Sequence, residues 1–510
     1  MERSVTAIVE KKGYFWWLGE EMPGGRFAPK NALPGVLTIS EDGLSTIVIT
    51  GSLMRSSILQ LDKKARLDAE NSPDALKDRT IVGKVDEDQR CVYLRNVVYK
   101  HPGRTIDGRV SETFNAGFCL IGNSATPLDP PSFSFSRLSI SLKGLEEWRR
   151  NESISVNAPQ EDGLDHSQIV NWAIEQKEYS IESGRICLRT DIHCNGWDAV
   201  KTRDITFHQY DWLDYAPEAP TSPELLKQEF GRIEEFLALL IGNYYNLDWP
   251  LISTGESGSI ESYTLYFFRN KGAASPLEIQ DLWTIFPQIR EQFGVLYETA
   301  KRIRQEYGAG FYLRLAALRS ASMYIEHRFM NLIWGIEQLH RTLHPDAKGP
   351  SSDYETIQNL FGKIQEQLNA DSRRWFKRQL EFATEPQLKQ RIVESFAGLP
   401  WQIESASLNR FAERCAARRN DISHYGGPRK DKKESYEDFL LDLMKLSDGL
   451  SYLYHAALLQ GIGLDANTLR QCLTNMPIGW RIRAGLVQAG LKVPPSPHAY
   501  PQVEAVVGGE

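Results

Sequence analysis

The sequence predicts an α+β multidomain protein, with a β-rich N-terminal region followed by a C-terminal all-α helical bundle. Three observations lead there. The first part of the chain consists of short β-branched and aromatic runs punctuated by glycines and an Asp-Gly turn, the pattern of antiparallel strands. The last large block carries apolar residues in long stripes at helical spacing. The chain has 510 residues, more than one ordinary core accommodates, so about two to four domains are expected.

Strand signals begin where Val5, Ala7 and Val9 alternate with polar neighbours, and continue in the aromatic block Tyr14-Phe15-Trp16-Trp17. Gly35-Val36-Leu37-Thr38-Ile39 runs into the turn Glu41-Asp42-Gly43, and Ser45 to Thr50 is again strand-like. Further strands are expected at Ile81-Val82-Gly83, Cys91-Val92-Tyr93-Leu94, Val97-Val98-Tyr99 and Phe118 to Ile121, giving a meander or sandwich. Residues 55–78, rich in Lys, Asp and Ala, read as an insertion or a short helix. Pro127, Pro130 and Pro131 mark an irregular link before Phe133 to Leu142.

More strands are expected at Ser180 to Glu182, Arg185 to Arg189 and Asp204 to Phe207. A helix starts after Ala219-Pro220: Thr221 and Ser222 are good caps, Pro223 suits the first turn, and Glu224 favours the positive helix end. Its stripe is Leu225, Leu226, Phe230, Ile233, Phe236, Leu237 and Leu240, and Trp249-Pro250 is expected to close it. A strand-rich patch from Glu261 to Phe268 and a helix from Ile285 to Arg304 complete the middle of the chain.

The stripe Phe311, Leu315, Leu318, Ile325, Phe329, Leu332, Ile336, Leu339 and Leu343 predicts one long helix, ended by His344-Pro345. Shorter helices are expected at 354–368, 371–395 and 404–420. After Gly426-Gly427-Pro428, another long helix carries Tyr436, Phe439, Leu440, Leu443, Leu446, Leu450, Leu453 and Leu458. These helices share a buried stripe, as in a bundle. The domains expected are 1–155, β-rich; 156–305, mixed α/β; 306–465, helical; and 466–510, a proline-punctuated flexible tail.

Composition narrows the function classes. Hydrophobic residues make up 41%, charged residues 25% and aromatic residues 10%, the usage of a globular protein. The longest apolar stretches, such as Phe236 to Ile241, fall far short of the roughly 20 residues of a membrane helix, so no membrane is expected. The opening MERSVTAIVEKKGYF has no apolar signal core, which makes a cytoplasmic location the expectation. Six cysteines do not make a disulfide framework. Cys187 and Cys194, with His193 and His208 nearby, lack the short hook spacing of a structural zinc site. There is no His-Glu-x-x-His and no glycine-rich phosphate loop ending in Lys-Ser/Thr. Gly255-Glu256-Ser257-Gly258-Ser259 has a serine where a nucleophile elbow needs its second glycine, so it reads as a turn. No cofactor and no metal are expected.

One segment stands apart. From Arg410 to Lys433 there are eight Lys/Arg and three Asp/Glu, in a chain whose formal charge is -7. Within it lies Arg418-Arg419-Asn420-Asp421-Ile422-Ser423-His424, followed by Tyr425-Gly426-Gly427. RNA carries its own nucleophile, the 2′-hydroxyl. Strand cleavage therefore gains most from a group titrating near neutrality and from positive charge on the phosphoryl oxygens. His424 supplies the first and Arg419 the second, with a guanidinium fork that matches phosphate. Asn420 could orient either, and Ser423 and Tyr425 could bond substrate. Two readings stand side by side: catalysis on a phosphodiester, or ordinary electrostatics at a helix end, where basic residues meet the last carbonyls.

Arg419-Asn420-Asp421-Ile422-Ser423-His424 resembles the Arg-x4-6-His motif of HEPN domains, in the form with Asn directly after the Arg. It lies before the last long helix of a bundle, the context expected of that motif. More narrowly, Gly13-Tyr14-Phe15-Trp16, Pro34-Gly35-Val36-Leu37 and the strand from Phe133 to Leu142 followed by Leu145-Glu146-Glu147-Trp148 are similar to ApeA-like proteins, bacterial anti-phage HEPN nucleases with a β-rich N-terminal region. The likeness spans most of residues 8 to 462. It implies that Arg419 and His424 are catalytic and that Asn420 assists. It also implies a homodimer with two motifs facing one RNA-binding cleft. The RNA, tRNA being the family-level expectation, would be cut without a metal. RNA-binding candidates are Arg418, Ser423, Tyr425, Arg429 and Lys430. The resemblance makes 306–465 a HEPN-like nuclease domain and 1–155 a sensor region for a phage-derived trigger. Glu326 and Glu337, on the long helix, could pair with the motif arginines, and exposed salt-bridge partners are the favoured reading. The competing function is a non-catalytic HEPN-like scaffold that binds RNA or protein in phage sensing.

Overall fold

The computed structural model describes residues 7–20, 27–54, 80–85, 90–104, 110–122, 133–151, 153–157, 169–172, 174–195, 206–255, 261–270, 277–319, 323–348, 351–383, 385–429, 434–474 and 476–494. The insertion expected at 55–78, the proline link at 127–131 and Lys430 lie outside them. The chain divides into two compact units. One comprises Met1–Glu146, Asn151–Glu234 and Asn246–Lys271; the other comprises Glu147–Arg150, Glu235–Tyr245 and Gly272–Glu510.

The first unit is β-rich. Its strands are β1 (Ala7–Trp17), β2 (Leu33–Ser40), β3 (Ser45–Thr50), β4 (Thr80–Val85), β5 (Arg90–Arg104), β6 (Val110–Gly122), β7 (Arg137–Ser141), β8 (Ile154–Asn157), β9 (Ile169–Trp172), β10 (Gln176–Ile181), β11 (Gly184–Asn195), β12 (Thr206–Pro217), β13 (Leu251–Thr254) and β14 (Glu261–Phe267). Strands β6, β3, β2, β1, β4 and β5 hydrogen-bond in that order, and β5 pairs back with β6, closing an antiparallel barrel. Inward-facing Leu37, Ile39, Ile47 and Ile49 alternate with more exposed neighbours and pack with Phe15, Ile81, Leu94 and Phe114, as the two-residue period of a strand requires.

Neither a plain meander nor a sandwich results. The reason lies in β5 and β6, 15 and 13 residues long. One edge of β6 is taken by β5. The other is shared, Ser111–Ala116 pairing with β3 and Phe118–Gly122 with β14. From that branch the sheet continues through β14, β13, β7, β12, β11 and β10. The closed part has no free edge to template aggregation. Cys91–Leu94 and Val97–Tyr99, expected as separate strands, are both part of β5.

The second unit is helical. With α1 (Glu146–Arg149) and α2 (Pro223–Ile241) preceding it in the chain, its helices are α3 (Phe286–Ile289), α4 (Phe293–Tyr307), α5 (Ala309–Arg319), α6 (Ile325–Leu343), α7 (Ser351–Ile364), α8 (Ala370–Ala383), α9 (Leu388–Phe396), α10 (Ser405–Tyr425), α11 (Tyr436–Gly461), α12 (Ala466–Thr474) and α13 (Gly479–Gln488). Phe329, Leu332, Ile336 and Leu339 of α6 and Phe439, Leu443, Leu446, Leu450, Leu453 and Leu458 of α11 are buried, the stripes legible in the sequence. Trp401 is anchored at its polar tip, its Nε1 donating to the Leu469 carbonyl at 2.8 Å. Among the described residues no helix is long and apolar enough to cross a membrane.

Several helix boundaries depart from expectation. The stripe from Phe311 to Leu343 belongs to two helices, α5 and α6, which touch where a Cβ on Gly310 would lie 2.9 Å from the Leu339 backbone nitrogen. The segment 371–395 is likewise two helices, since Pro386 cannot continue α8. Residues 466–494 are no flexible tail: Leu469, Cys472, Leu473, Ile482, Leu486 and Leu491 are buried. Helix α2 ends at Ile241, with Gly242 just past it and Trp249 seven residues further on. Gly242 adopts φ +82°, and a Cβ there would fall 1.9 Å from Cδ1 of Trp283. Only glycine combines that left-handed turn with so close an indole.

This contrast makes a stability prediction on one helix. Gly242→Ala should destabilise the protein by roughly 2–4 kcal/mol, from left-handed strain plus overpacking. Gly231→Ala, where a Cβ meets nothing within 4 Å, should gain about 0.8–1 kcal/mol of helix propensity. Urea denaturation of both variants checks the opposite signs.

Candidate active site

Helix α10 carries the motif, and its core-facing residues set its rotation. Leu408, Phe411, Ala412 and Cys415 are buried, which turns the last two turns into a sorting of adjacent residues by depth. Asp421 is fully buried, and the Arg418 side chain is only 12% exposed. Arg419 is at 34%, while Ser423, His424 and Tyr425 are exposed. Gly426 ends the helix in the left-handed conformation, φ +67°, and its N–H bonds the Ile422 carbonyl at 3.1 Å. The helix thus runs five residues past the expected end at 420, and His424 lies within its last turn.

Arg418 is held on nearly every side. Its Nε donates to Asp442 Oδ2 at 2.6 Å, and Nη1 and Nη2 donate to the two carboxylate oxygens of Glu434 at 2.7 and 2.5 Å. Its Cζ sits 4.9 Å from the Phe439 ring centroid. Arg414 shares Asp442 and donates to the Ala489 carbonyl at 2.8 Å. Asp421 receives Arg429 Nε at 2.6 Å and lies 3.6 Å from Arg418 Nη1. The Glu434 hydrogen bonds push the Arg418 pKa up against its burial, with Asp442 adding to the rise. Burial works to raise the Asp442 carboxyl, but the hydrogen bonds from Arg418 and Arg414 outweigh it and hold that group below the usual carboxylate range. Arg418, offered by the sequence as an RNA contact, is thus engaged by carboxylates that tie the end of α10 to the start of α11.

Arg419 points elsewhere. Its Nη2 lies 4.0 Å from Glu337 Oε1 on α6, at the limit of an ion pair, and its Nη1 donates weakly to Asn420 Oδ1 at 3.4 Å. Its Nε is buried without a hydrogen-bond partner among the described residues. Of the two alternatives for these glutamates, Glu337 approaches a motif arginine, whereas Glu326 bonds the Tyr436 hydroxyl. Arg419 and Ser423 share one side of the helix, and Asn420 and His424 share another, each pair at i, i+4. Arg419 and His424 are about 140° apart around the axis and about 7.5 Å apart along it. The His424 and Tyr425 rings lie 6.4 Å apart, and Arg429 sits 5.4 Å over the Tyr425 ring. Chemically, the end of α10 offers a lightly held guanidinium, an amide and an exposed imidazole. Among the described residues no group of three or more His, Cys, Asp or Glu is placed to hold a metal ion.

The sequence signalled the motif and its helix end but not what holds them. Glu434 and Asp442 lie 16 and 24 residues from Arg418, beyond any helical spacing rule. Asp421, three residues after Arg418, was the one local cue to the ion network.

The network predicts a measurable linkage. Arg418→Met leaves the half-buried Asp442 and Glu434 carboxylates without their shared partner and should cost about 1.5–3 kcal/mol. Because the folded-state pKa of Asp442 is lowered, its stabilisation is complete above the unfolded value of about 3.9 and is lost as pH falls through the lower folded value. Denaturant titrations of wild type and Asp442→Asn should therefore show a stability gap at pH 5 that narrows toward pH 3. A gap that widens on acidification would contradict this.

Comparison with known proteins bears on the same segment. A family model described as Apea-like HEPN matches residues 330–468, which contain α10 and α11, and one described as ApeA N-terminal domain 1 matches residues 10–278, which contain the barrel and its sheet extension. No curated protein and no solved structure matches the chain. Possession of a HEPN domain supports, in general terms, an RNA-cleaving nuclease that needs no metal. The N-terminal match alone covers more than half of the chain, and with the HEPN match behind it the chain belongs to the ApeA-like family.

Proposed function

We propose that this protein is an anti-phage abortive-infection endoribonuclease, in which Arg419, Asn420 and His424 cleave RNA with its own 2′-hydroxyl as nucleophile. The observation that carries this reading is the end of α10: an exposed His424 in the last turn, with Arg419 held only at 4.0 Å by Glu337, inside the segment matched by the HEPN model. A guanidinium so loosely engaged can exchange its partner for a phosphodiester, which it binds as a fork.

In the proposed step the 2′-oxygen attacks phosphorus, the bond from phosphorus to the 5′-oxygen breaks, and a proton passes from the 2′-hydroxyl to a base and from an acid to the 5′-oxygen. The products are a 2′,3′-cyclic phosphate and a 5′-hydroxyl. Arg419 stabilises the charge on the phosphoryl oxygens, and Asn420 orients substrate or imidazole. One imidazole is either acid or base at a given moment. Two copies of His424 in a homodimer would fill both roles, and the 140° between Arg419 and His424 favours a cleft completed by a second subunit. Ser423, Tyr425, Arg429 and Lys430 are proposed as substrate contacts, and tRNA as the substrate. The β-rich unit would sense a phage-derived trigger and keep the nuclease latent in the cytoplasm until infection.

The test is RNA-end mapping in phage-challenged bacteria expressing wild type, H424A or R419A at equal levels. The expected result is fragments with cyclic-phosphate and 5′-hydroxyl ends in the wild type, reduced about a hundredfold or more in either variant, and persisting in lysates treated with EDTA. Identical end profiles with phage protection intact in all strains would overturn the catalytic reading and leave a binding or scaffold role.

A further inference from the structure

Away from the motif, the helical unit contains a buried cation with no counter-ion among the described residues. Arg314, on α5, is 4% exposed. Its Nε is buried without a hydrogen-bond partner, and among the described residues its guanidinium makes neither a hydrogen bond nor an ion pair. Burial, reinforced by the neighbouring Arg328, pushes its pKa down to about 9, so it is still charged at neutral pH. A buried, unpaired charge is costly and is rarely kept without a use.

Arg314 lines a cavity of about 200 Å³ together with Trp283, Arg328, Asp448, Tyr452 and Arg481. The carboxylates there are already engaged: Asp448 by Arg328 at 3.0 Å, and Asp281 by Arg481. Two ion pairs cancel, and the charge of Arg314 is left over. The Trp283 and Tyr452 rings, centroids 6.3 Å apart, supply an aromatic wall. A guanidinium fork donates to either carboxylate or phosphate, but arginines lining one cavity from three helices suit a tetrahedral anion, which accepts hydrogen bonds from several directions. A planar carboxylate offers two acceptor oxygens in one plane and matches a single fork.

We propose that this cavity is a binding site for a phosphate-class oxyanion, seated on Arg314 and flanked by Arg328 and Arg481. It uses neither Arg419 nor His424, so it stands or falls independently of the nuclease reading. Bound anion would neutralise Arg314 and stabilise the helical unit by linkage.

Calorimetric titration and thermal melting of the full-length protein test this, with inorganic phosphate and a nucleoside 5′-monophosphate as probes and acetate at matched ionic strength as control. The expected result is saturable binding of a phosphate probe, a rise in Tm with that probe but not with acetate, and about a tenfold or greater loss of affinity in Arg314→Met. That variant should also melt at a temperature independent of phosphate. Tighter binding of the monophosphate than of inorganic phosphate would assign the site to a nucleotide, and equal or weaker binding would assign it to free phosphate. Should Arg314→Met not fold, Arg328→Gln and Arg481→Gln should each weaken the same binding. No saturable binding of either probe to wild type, or binding unchanged in the folded variants, overturns the proposal.

Discussion

The grip of Arg418 on Asp442 and Glu434 is the constraint on which the candidate active site depends. It joins the last turns of α10 to α11 through hydrogen bonds of 2.5 to 2.7 Å, beside a fully buried Asp421. Since neighbouring helical residues differ by about 100°, fixing Arg418 inward fixes where Arg419, Asn420 and His424 can be. Adjacent arginines therefore have opposite fates. One is consumed in holding the helix, and the other stays half-exposed against Glu337.

That division alters the electrostatic picture drawn from composition. The segment from Arg410 to Lys433 looks like a basic island, with eight cations against three anions. In three dimensions α11 and the residues before it bring Asp442 and Glu434 against Arg414 and Arg418, and Asp421 takes Arg429. Positive charge is thus concentrated at fewer positions than the sequence implies. For a nuclease in a cell full of RNA, a narrowly placed charge is a more selective device than a broad basic face, whose attraction to any polyanion would be long-ranged and indiscriminate.

What was legible in the sequence follows from the range of the forces involved. The stripes of α6 and α11 could be read because burial of one helix face leaves a local period, and β2 and β3 could be read from their two-residue alternation and the turn at Gly43. The barrel was not legible as a barrel, because closure depends on β5 and β6 pairing along lengths that no local pattern specifies. Gly242 and Gly310 were passed over for a related reason: their necessity comes from Trp283 and Leu339, far away in sequence. At the site, Gly426 announced the helix end, but the carboxylates that position Arg418 come from another element. For Glu337 the sequence leaves open either a motif arginine or an exposed salt bridge. Its approach to Arg419 depends on how α6 packs against α10, which residue types alone do not encode.

The two unusual arginines of the helical unit, Arg314 and Arg419, can be compared on physical grounds. Both have an Nε buried without a hydrogen-bond partner, yet their surroundings differ. Arg419 faces a carboxylate at the edge of ion-pair range and opens toward solvent, where displacement of Glu337 by a phosphate costs little desolvation. Among the described residues Arg314 has no carboxylate of its own, and it is sunk among aromatic residues and other cations. Its desolvation has already been incurred in folding, so an arriving anion meets a site whose positive charge is poorly screened and gains more per contact. The two proposals thus place the same side chain in two regimes: rapid exchange at an exposed helix end, and tighter retention in a partly enclosed cavity. If the proposed anion binds, neutralising an arginine that has no counter-ion among the described residues would couple occupancy of the cavity to the stability of the bundle that also carries α10.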